Sequence, residues 1–557
     1  MNMDIKELLI KDLPIEIKEH QELIVKCSDS KKGDYTIPCF SLAKEFHKAP
    51  NLIAEELADK LQQTNIIENV EAVNGYLNIF LNREVVSKNI VDNFVRKGQK
   101  IFCSEEGKGK TICIDFSSAN LAKYLHIGHL STTILGECIA RLFENAGYKV
   151  VRINFVGDYG TPFGKIIAAY QLWGNEDDIK TRGVDAIQDL YIEFCKHEGE
   201  EEFDNLARDT FKKLEQKDPK ITELYNKLIA ICLESNKQET EALGVKFDDF
   251  NGERYYNDMV DDFVKQLDQK GFLQEGEGGS KIVDLGNLGI VLIKKSDGTS
   301  LYATRDLPAV VDRYQKYHFY KNYYVTDVAQ KLHFEQVFKI LQKMGYDYAN
   351  DCKHIYYGRI RLPEGKISSR LGKQALIRDI ISEATSKARE VIKDRNLPNA
   401  EQVAKVVGLG ATVFTVTKNE KIKDTVFDLN EALRFDGETS PYMQYTYARL
   451  SSILRKADIK DGKFDAKYLT GDDAYEVVKI VAGFKDALNQ AIERIEPNVI
   501  NKYTMELCKA VNKFYTTERV LTDNATETFS KCQLIKIARD TIKFALNLLC
   551  IDTVEIM

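Results

Sequence analysis

None of the eleven cysteines, at 27, 39, 103, 113, 138, 195, 232, 352, 508, 532 and 550, forms a C-x-x-C pair. That excludes a zinc ribbon and a redox dithiol, and an odd, scattered set does not make a disulfide framework. A reducing compartment, the cytoplasm, is therefore expected. No run approaches eighteen consecutive apolar residues, so no transmembrane helix is expected. The opening MNMDIKELLIKDLP has no apolar core, so no secretory signal is expected. The pattern GxxxxGK[ST] does not occur, which excludes a P-loop NTPase. Internal repeats and low-complexity tracts are likewise missing. Histidine is sparse, with eight in 557 residues.

The length calls for three or four domains. A hydrophobic fraction of 44% and a charged fraction of 29% are ordinary for a globular protein. The net charge of −7 argues against a basic whole, but it is unevenly spread. Of the 78 basic and 85 acidic residues, 45 and 56 fall in the first 350 positions, leaving 33 against 29 beyond. A polyanion needs only a local positive surface, so RNA binding stays open.

Residues 1–98 read as a small α+β unit, with helical SLAKEFHKAPNLIAEELADKLQQ ahead of a strand, VNGYLNIFL. RKGQKIFCSEEGKGK reads as a linker. From residue 110 the pattern is a short buried strand (TICIDFSS), a loop, a helix ending near Gly147, and a second strand (KVVRINFVGD). That is the parallel unit of a doubly wound α/β sheet. Charged helices at about 165–275 read as an insertion. The sheet pattern then returns in KIVDLG, GIVLIKK, KNYYVTDV and HIYYGRI, closing the α/β domain at 375; residues 376–557 read as all helix.

Two of the eight histidines, His126 and His129, flank Gly128 in ANLAKYLHIGHLSTT, where a strand gives way to a helix. A helix start carries free N–H groups and partial positive charge, which attract phosphate. Residues at i and i+3 share a face. Gly128 leaves room for a base or phosphate against the backbone. Imidazole donors there would steady charge developing on a phosphoryl group. Taken alone, the pair is equally a metal pair or ordinary cap and surface residues. A second element, EGKISSRLGK at 364–373, joins Lys366 and Arg370 with Ser368, Ser369 and Gly372, a basic loop able to close over a triphosphate.

HIGH followed about 240 residues later by KISSR resembles the two signatures of class I aminoacyl-tRNA synthetases, H-I-G-H and K-M-S-K-S. DFSSANLAKYLHIGHL, VGDYGTPFG, KSDGTSLYATRDLPA, YYVTDVAQKLHFEQVF and SPYMQYTYARLSSILRKA, in that order, are similar to segments of the arginyl enzymes of that class. The resemblance implies a Rossmann-like catalytic domain at 110–375, an N-terminal domain touching tRNA, and an anticodon-binding helical bundle at about 435–557. It implies activation of L-arginine by ATP with Mg²⁺ and transfer to tRNA(Arg), with no protein-bound metal, no membrane partner and a monomeric state. By resemblance, Lys123, His126, Gly128, His129, Lys366, Ser369 and Arg370 take ATP, with His126, His129 and Lys366 catalytic. Asp115, Ser117, Asn120 and His129 hold the α-amino and carboxylate end of arginine, and Gln330 is a further arginine position. Tyr302 and Asp306 read the guanidinium. Tyr442, Gln444, Tyr445 and Arg449 meet tRNA.

The residues also have plainer readings: Asp306 as a helix cap, Tyr302 as a strand tyrosine, Asn120 as a turn residue, the tyrosine stripe as helix core. The pattern departs from the family's in three places. Ser118-Ala119-Asn120 lacks the usual proline, Ser131 stands where an arginine is usual, and Ser369 replaces a lysine, for which Lys123 is the candidate substitute. Other readings are a catalytically dead RNA-binding paralogue, another class I synthetase, or a nucleotidyl transferase that needs no RNA; the last leaves the helical third unexplained.

Overall fold

A computed structural model of the chain describes residues 5–13, 15–27, 30–61, 65–296, 302–363, 375–458 and 461–557. The N-terminal unit is a four-stranded antiparallel sheet, in the order Val25–Lys26, Tyr35–Pro38, Tyr76–Leu81, Ile67–Val73, with helix Pro50–Leu61 on one face. The stretch expected as one strand is a hairpin. Asn74 and Gly75 carry φ of 51° and 80° and turn the chain between Val73 and Tyr76. Two successive positive φ values are what a tight two-residue hairpin demands.

The expected linker is also ordered. Phe102 is buried with ring centroids 4.7 Å from Phe484 and 5.3 Å from Phe544, tying the N-terminal unit to the C-terminal bundle. Two adjacent apolar residues, Ile101 and Phe102, inside a polar stretch make it an anchor.

The central sheet has four parallel strands. β1 (Thr111–Asp115) leads through α1 (Ile127–Asn145) to β2 (Lys149–Ile153). After the insertion, α2 (Tyr302–Tyr317) precedes β3 (Lys321–Asp327), and α3 (Lys331–Lys343) leads to β4 (Cys352–Tyr357). The spatial order is β4-β3-β1-β2. The chain therefore winds one way from β1 to β2 and the other way through β3 to β4. That reversal lies at the carboxyl ends of β1 and β3, the place where open sheets of this kind bind ligands.

Two segments expected in this sheet are elsewhere. Lys281–Asp284 and Ile290–Lys294 pair antiparallel in a separate three-stranded sheet with Gln274–Glu275. Their alternation marked them as strands, but only five residues join them, and a parallel crossover needs a dozen or more.

The insertion is helical, from Thr161–Trp173 through Pro219–Ala242 and on to Glu253–Gln269. It has its own core, into which Leu121 and Ala122 of the loop after β1 are packed. Beyond α4 (Ile377–Ile392) the described chain is almost all helix, including α5 (Ser440–Ala457) and the pair Asn498–Thr517 and Ala525–Leu548.

Candidate functional site

The loop leaving β1 is strained and pinned. Ser117 and Ser118 have φ of 71° and 46°, a region that costs a non-glycine residue roughly 1–2 kcal/mol. Side chains hold both. The Ser117 N–H donates to Thr132 Oγ1 at 3.0 Å, the Ser118 N–H to Asn154 Oδ1 at 3.0 Å, and Ser118 Oγ to Asp115 Oδ1 at 2.7 Å. These bonds stiffen the turn that lacks its proline. Asn120 and Gly157 then meet backbone to backbone; a Cβ on Gly157 would lie 3.2 Å from the Asn120 Cα, a tight contact that would press on this turn. Asn120 Oδ1 accepts the Ala122 N–H at 2.9 Å, and Ala122 O accepts Gln188 Nε2 at 2.7 Å from the insertion.

At the start of α1 the two histidines cap the helix reciprocally. His126 Nδ1 accepts the Gly128 N–H at 3.1 Å, and His129 Nδ1 accepts the His126 N–H at 3.2 Å. The rings lie 4.1 Å apart, centroid to centroid. Because each Nδ1 is an acceptor, each neutral ring carries its proton on Nε2. Burial, with the charge of its neighbour His126, lowers His129 to about 3; burial and Lys123 lower His126. Both rings are thus neutral Nε2–H donors near pH 7 without titrating. A Cβ at Gly128 would also lie 2.8 Å from the His126 ring, so the glycine keeps the reciprocal cap clear. Lys123 is exposed on the same loop.

This helix start is also stitched to the chain beyond the second signature. The Ile127 N–H donates to Ala375 O at 2.9 Å, and the Ile377 N–H to Leu125 O at 3.0 Å. Asp185 of the insertion clamps the same seam, accepting from Tyr124 Oη at 2.5 Å and Arg378 Nη1 at 2.8 Å. Lys366, Ser368, Ser369, Arg370 and Gly372 lie outside the described residues, as does the Tyr302 side chain.

Under the loop the floor is acidic. Asp115 is buried and paired with the fully buried Arg313, Nη2 to Oδ2 at 2.6 Å. Burial pushes the Asp115 carboxyl up and Arg313 pulls it down. A guanidinium cannot shed its proton here, and its Nε and Nη1 already have no partner, so the pair is ionised as a unit. Asp115 thus ties the loop through Ser118 and is charge-matched by Arg313 behind it.

Asp306 is within α2, five residues in, and is not a cap. Its Oδ2 is 2.6 Å from His333 Nε2 on α3. Glu253 bonds Arg305 at 3.0 Å and is pushed up to about 7, by burial first, with the charges of Asp158 and Asp306 adding to it. Gln330, expected to touch arginine, ends a short turn after β3 and is exposed. Neither Arg313, Glu253 nor His333 was singled out from sequence; His333 alone carried a signal, being one of the eight histidines and standing inside KLHFEQVF.

On α5, Tyr445 and Arg449 lie one turn apart. Tyr445 packs beside Phe435 and Arg395, and the Arg449 guanidinium lies over Tyr515 at 4.5 Å. Tyr442 Oη accepts Asn512 Nδ2 at 2.8 Å. Gln444 is no interface residue: fully buried, its Nε2 donates to Val406 O at 3.1 Å and Asp552 O at 2.8 Å. Helical periodicity turns it inward, with Met443, between the half-exposed Tyr442 and Tyr445. Among the described residues no group of three His, Cys, Asp or Glu could hold a metal ion, and no helix is long and apolar enough to cross a membrane.

Comparison with known proteins covers the whole chain. The family model described as tRNA synthetases class I (R), catalytic domain, matches residues 89–429. The DALR anticodon binding domain matches 443–557, and the arginyl tRNA synthetase N terminal domain matches 3–81. A curated relative from Halothermothrix orenii, an arginine–tRNA ligase, is 40% identical over 554 residues, covering 98% of this chain and 97% of its own. One of the same name from Clostridium botulinum is 40% identical over 570 residues, with both chains fully covered. Two solved arginyl-tRNA synthetases share the fold. The one from Thermus thermophilus has a TM-score of 0.79 at 24% identity, covering 99% of this chain and 100% of its own. The one from Plasmodium falciparum has a TM-score of 0.80 at 22% identity, with both chains fully covered.

Proposed function

Since the chain belongs to the class I arginyl-tRNA synthetases and is an arginine–tRNA ligase, we propose how its own residues divide the two steps of that reaction. The enzyme joins L-arginine to AMP from ATP, then passes the arginyl group to the 3′-terminal adenosine of tRNA(Arg). Magnesium enters with ATP as part of that substrate.

The observation that carries the reading is the pair of neutral imidazoles locked as Nε2–H donors at the start of α1. As the arginine carboxylate attacks the α-phosphate, negative charge builds on the phosphoryl oxygens. His126 and His129 meet it with fixed donors and the helix N-terminus with its partial charge, so little reorganisation is needed. Lys123 and the Lys366–Arg370 segment take the phosphates that leave as pyrophosphate. Ser117 and Asn120, set by the pinned loop, hold the α-amino and carboxylate end, with Asp115 anchoring that loop from behind. Gln330 closes the same end.

Asp306, with Tyr302, reads the side chain. A guanidinium presents a flat fork of N–H donors that a carboxylate matches in two bonds; a lysine ammonium presents a point charge and leaves acceptors unpaired. Tyr442, Tyr445 and Arg449 offer aromatic faces and a cation to unpaired bases. The enzyme works as a cytoplasmic monomer, with its eleven cysteines reduced.

The test is Asp306→Ala. The arginine KM, measured by arginine-dependent ATP–pyrophosphate exchange with tRNA present, should rise at least about a hundredfold, as for a lost charged pair. ATP and tRNA binding should be largely kept. Equal arginine kinetics in variant and parent would remove Asp306 from the guanidinium site.

A further inference from the structure

We propose that His333 is a positioning residue for arginine selectivity: it fixes the rotation of the Asp306 carboxylate so that two coplanar acceptors face the guanidinium. The proposal rests on the reading of Asp306 given above. Asp306 comes from α2 and His333 from the first turn of α3, 27 residues apart, so the bond between them is tertiary and not a local cap. It is short, 2.6 Å, and both side chains are largely buried, at 14% and 12% exposure. It engages Oδ2 and leaves Oδ1 without a hydrogen bond among the described residues.

The consequence follows from the geometry of the carboxyl group. The last torsion of an aspartate is broad and two-fold, so nothing intrinsic holds the plane of its oxygens. One N–H donor on Oδ2 from a largely buried ring favours one plane. The imidazole meets Phe334 edge to face at 5.0 Å, and Phe334 is itself buried. A guanidinium needs that plane, because its two parallel bonds require both oxygens coplanar with the fork. An ammonium, which accepts any direction of approach, does not. His333 thus adds selectivity without touching substrate.

Steady-state exchange with tRNA present tests it on the full-length protein. His333→Ala should raise the arginine KM about tenfold, the lower end of what a hydrogen bond to a charged group supplies. The kcat and the KM values for ATP and tRNA should stay within about twofold. His333→Gln, whose amide nitrogen falls near the Nε2 position, should bring the arginine KM back to within about threefold of the parent. The proposal is overturned by an arginine KM within about twofold of the parent in His333→Ala. Failure of the Gln variant to rescue, when its urea midpoint matches the parent's, overturns it equally, as does a loss confined to kcat. An unmoved arginine KM in Asp306→Ala overturns the underlying reading instead.

Discussion

The reciprocal histidine cap separates two jobs that one residue holds at once. His129 uses Nδ1 to accept the His126 N–H at 3.2 Å and keeps Nε2–H for the reacting phosphate. Asparagine in its place puts Oδ1 where Nδ1 stood and nothing where Nε2 stood. His129→Asn should therefore keep the cap and lose the donor. A cap of this kind contributes about 1 kcal/mol to stability, so the urea-derived stability of His129→Asn should lie within about 0.5 kcal/mol of the parent. One preorganised donor to transition-state charge is worth about 10²–10³ in rate, or about 2.7–4 kcal/mol. The tRNA-dependent exchange rate at saturating ATP and arginine should fall by that factor. His129→Ala should lose both, with about 1 kcal/mol of stability gone as well. If His129→Asn exchanged pyrophosphate within about threefold of the parent, the ring would be a helix cap and nothing more, and the assignment of roles at the start of α1 would fail.

Glu239 is half-buried, with an Oε2 that is buried and has no partner; burial pushes it up to about 7 against the opposing charge of Arg378 and a bond from the Leu125 backbone, with Asp185 and Asp379 adding to the rise. Its folded pKa exceeds the unfolded value near 4.5, so the folded state binds the extra proton and loses that stabilisation as pH climbs from 4.5 through 7. Glu239→Gln, a permanent mimic of the protonated form, should raise the urea midpoint at pH 8 and leave it unchanged at pH 4.5; a midpoint shift independent of pH contradicts this. Gln444→Ala should cost about 1–3 kcal/mol of stability, by orphaning the carbonyls of Val406 and Asp552, with the tRNA KM unmoved. Tyr445→Ala should do the reverse, raising the tRNA KM about tenfold through lost stacking, with a smaller fall in the urea midpoint than Gln444→Ala, since only its contacts with Phe435 and Arg395 are lost. The opposite pattern in this pair would exchange their roles.

Much of the architecture was legible because it is written in local periodicity. The β1–loop–α1–β2 unit, the helical insertion and the helical C-terminal third all follow from short apolar alternation or 3.6-residue spacing. What failed depended on partners remote in sequence. The strands Lys281–Asp284 and Ile290–Lys294 looked like strands, but alternation does not say which sheet a strand joins. The Asn74-Gly75 turn is only two letters inside an apolar run, and the run dominates the pattern. At the site, residues flanking a strand end were found by motif. Those that support them across the fold were not: Arg313 lies 198 residues from Asp115, and His333 faces Asp306 from another helix. Nothing near Asp115 in sequence announces that its charge is already matched. Gln444 shows the converse error, since a polar residue between two tyrosines reads as surface until the helix is rotated into place.

The two backbone bonds that join Leu125 and Ile127 to Ile377 and Ala375 sew the exit of one signature region to the entrance of the other. About 250 residues of chain leave at one hem and return at its neighbour. The charged helices and the separate antiparallel sheet are carried inside that span, so the register between the histidine turn and the helix that opens at Ile377 is set at the hems and not by the length of cloth between them.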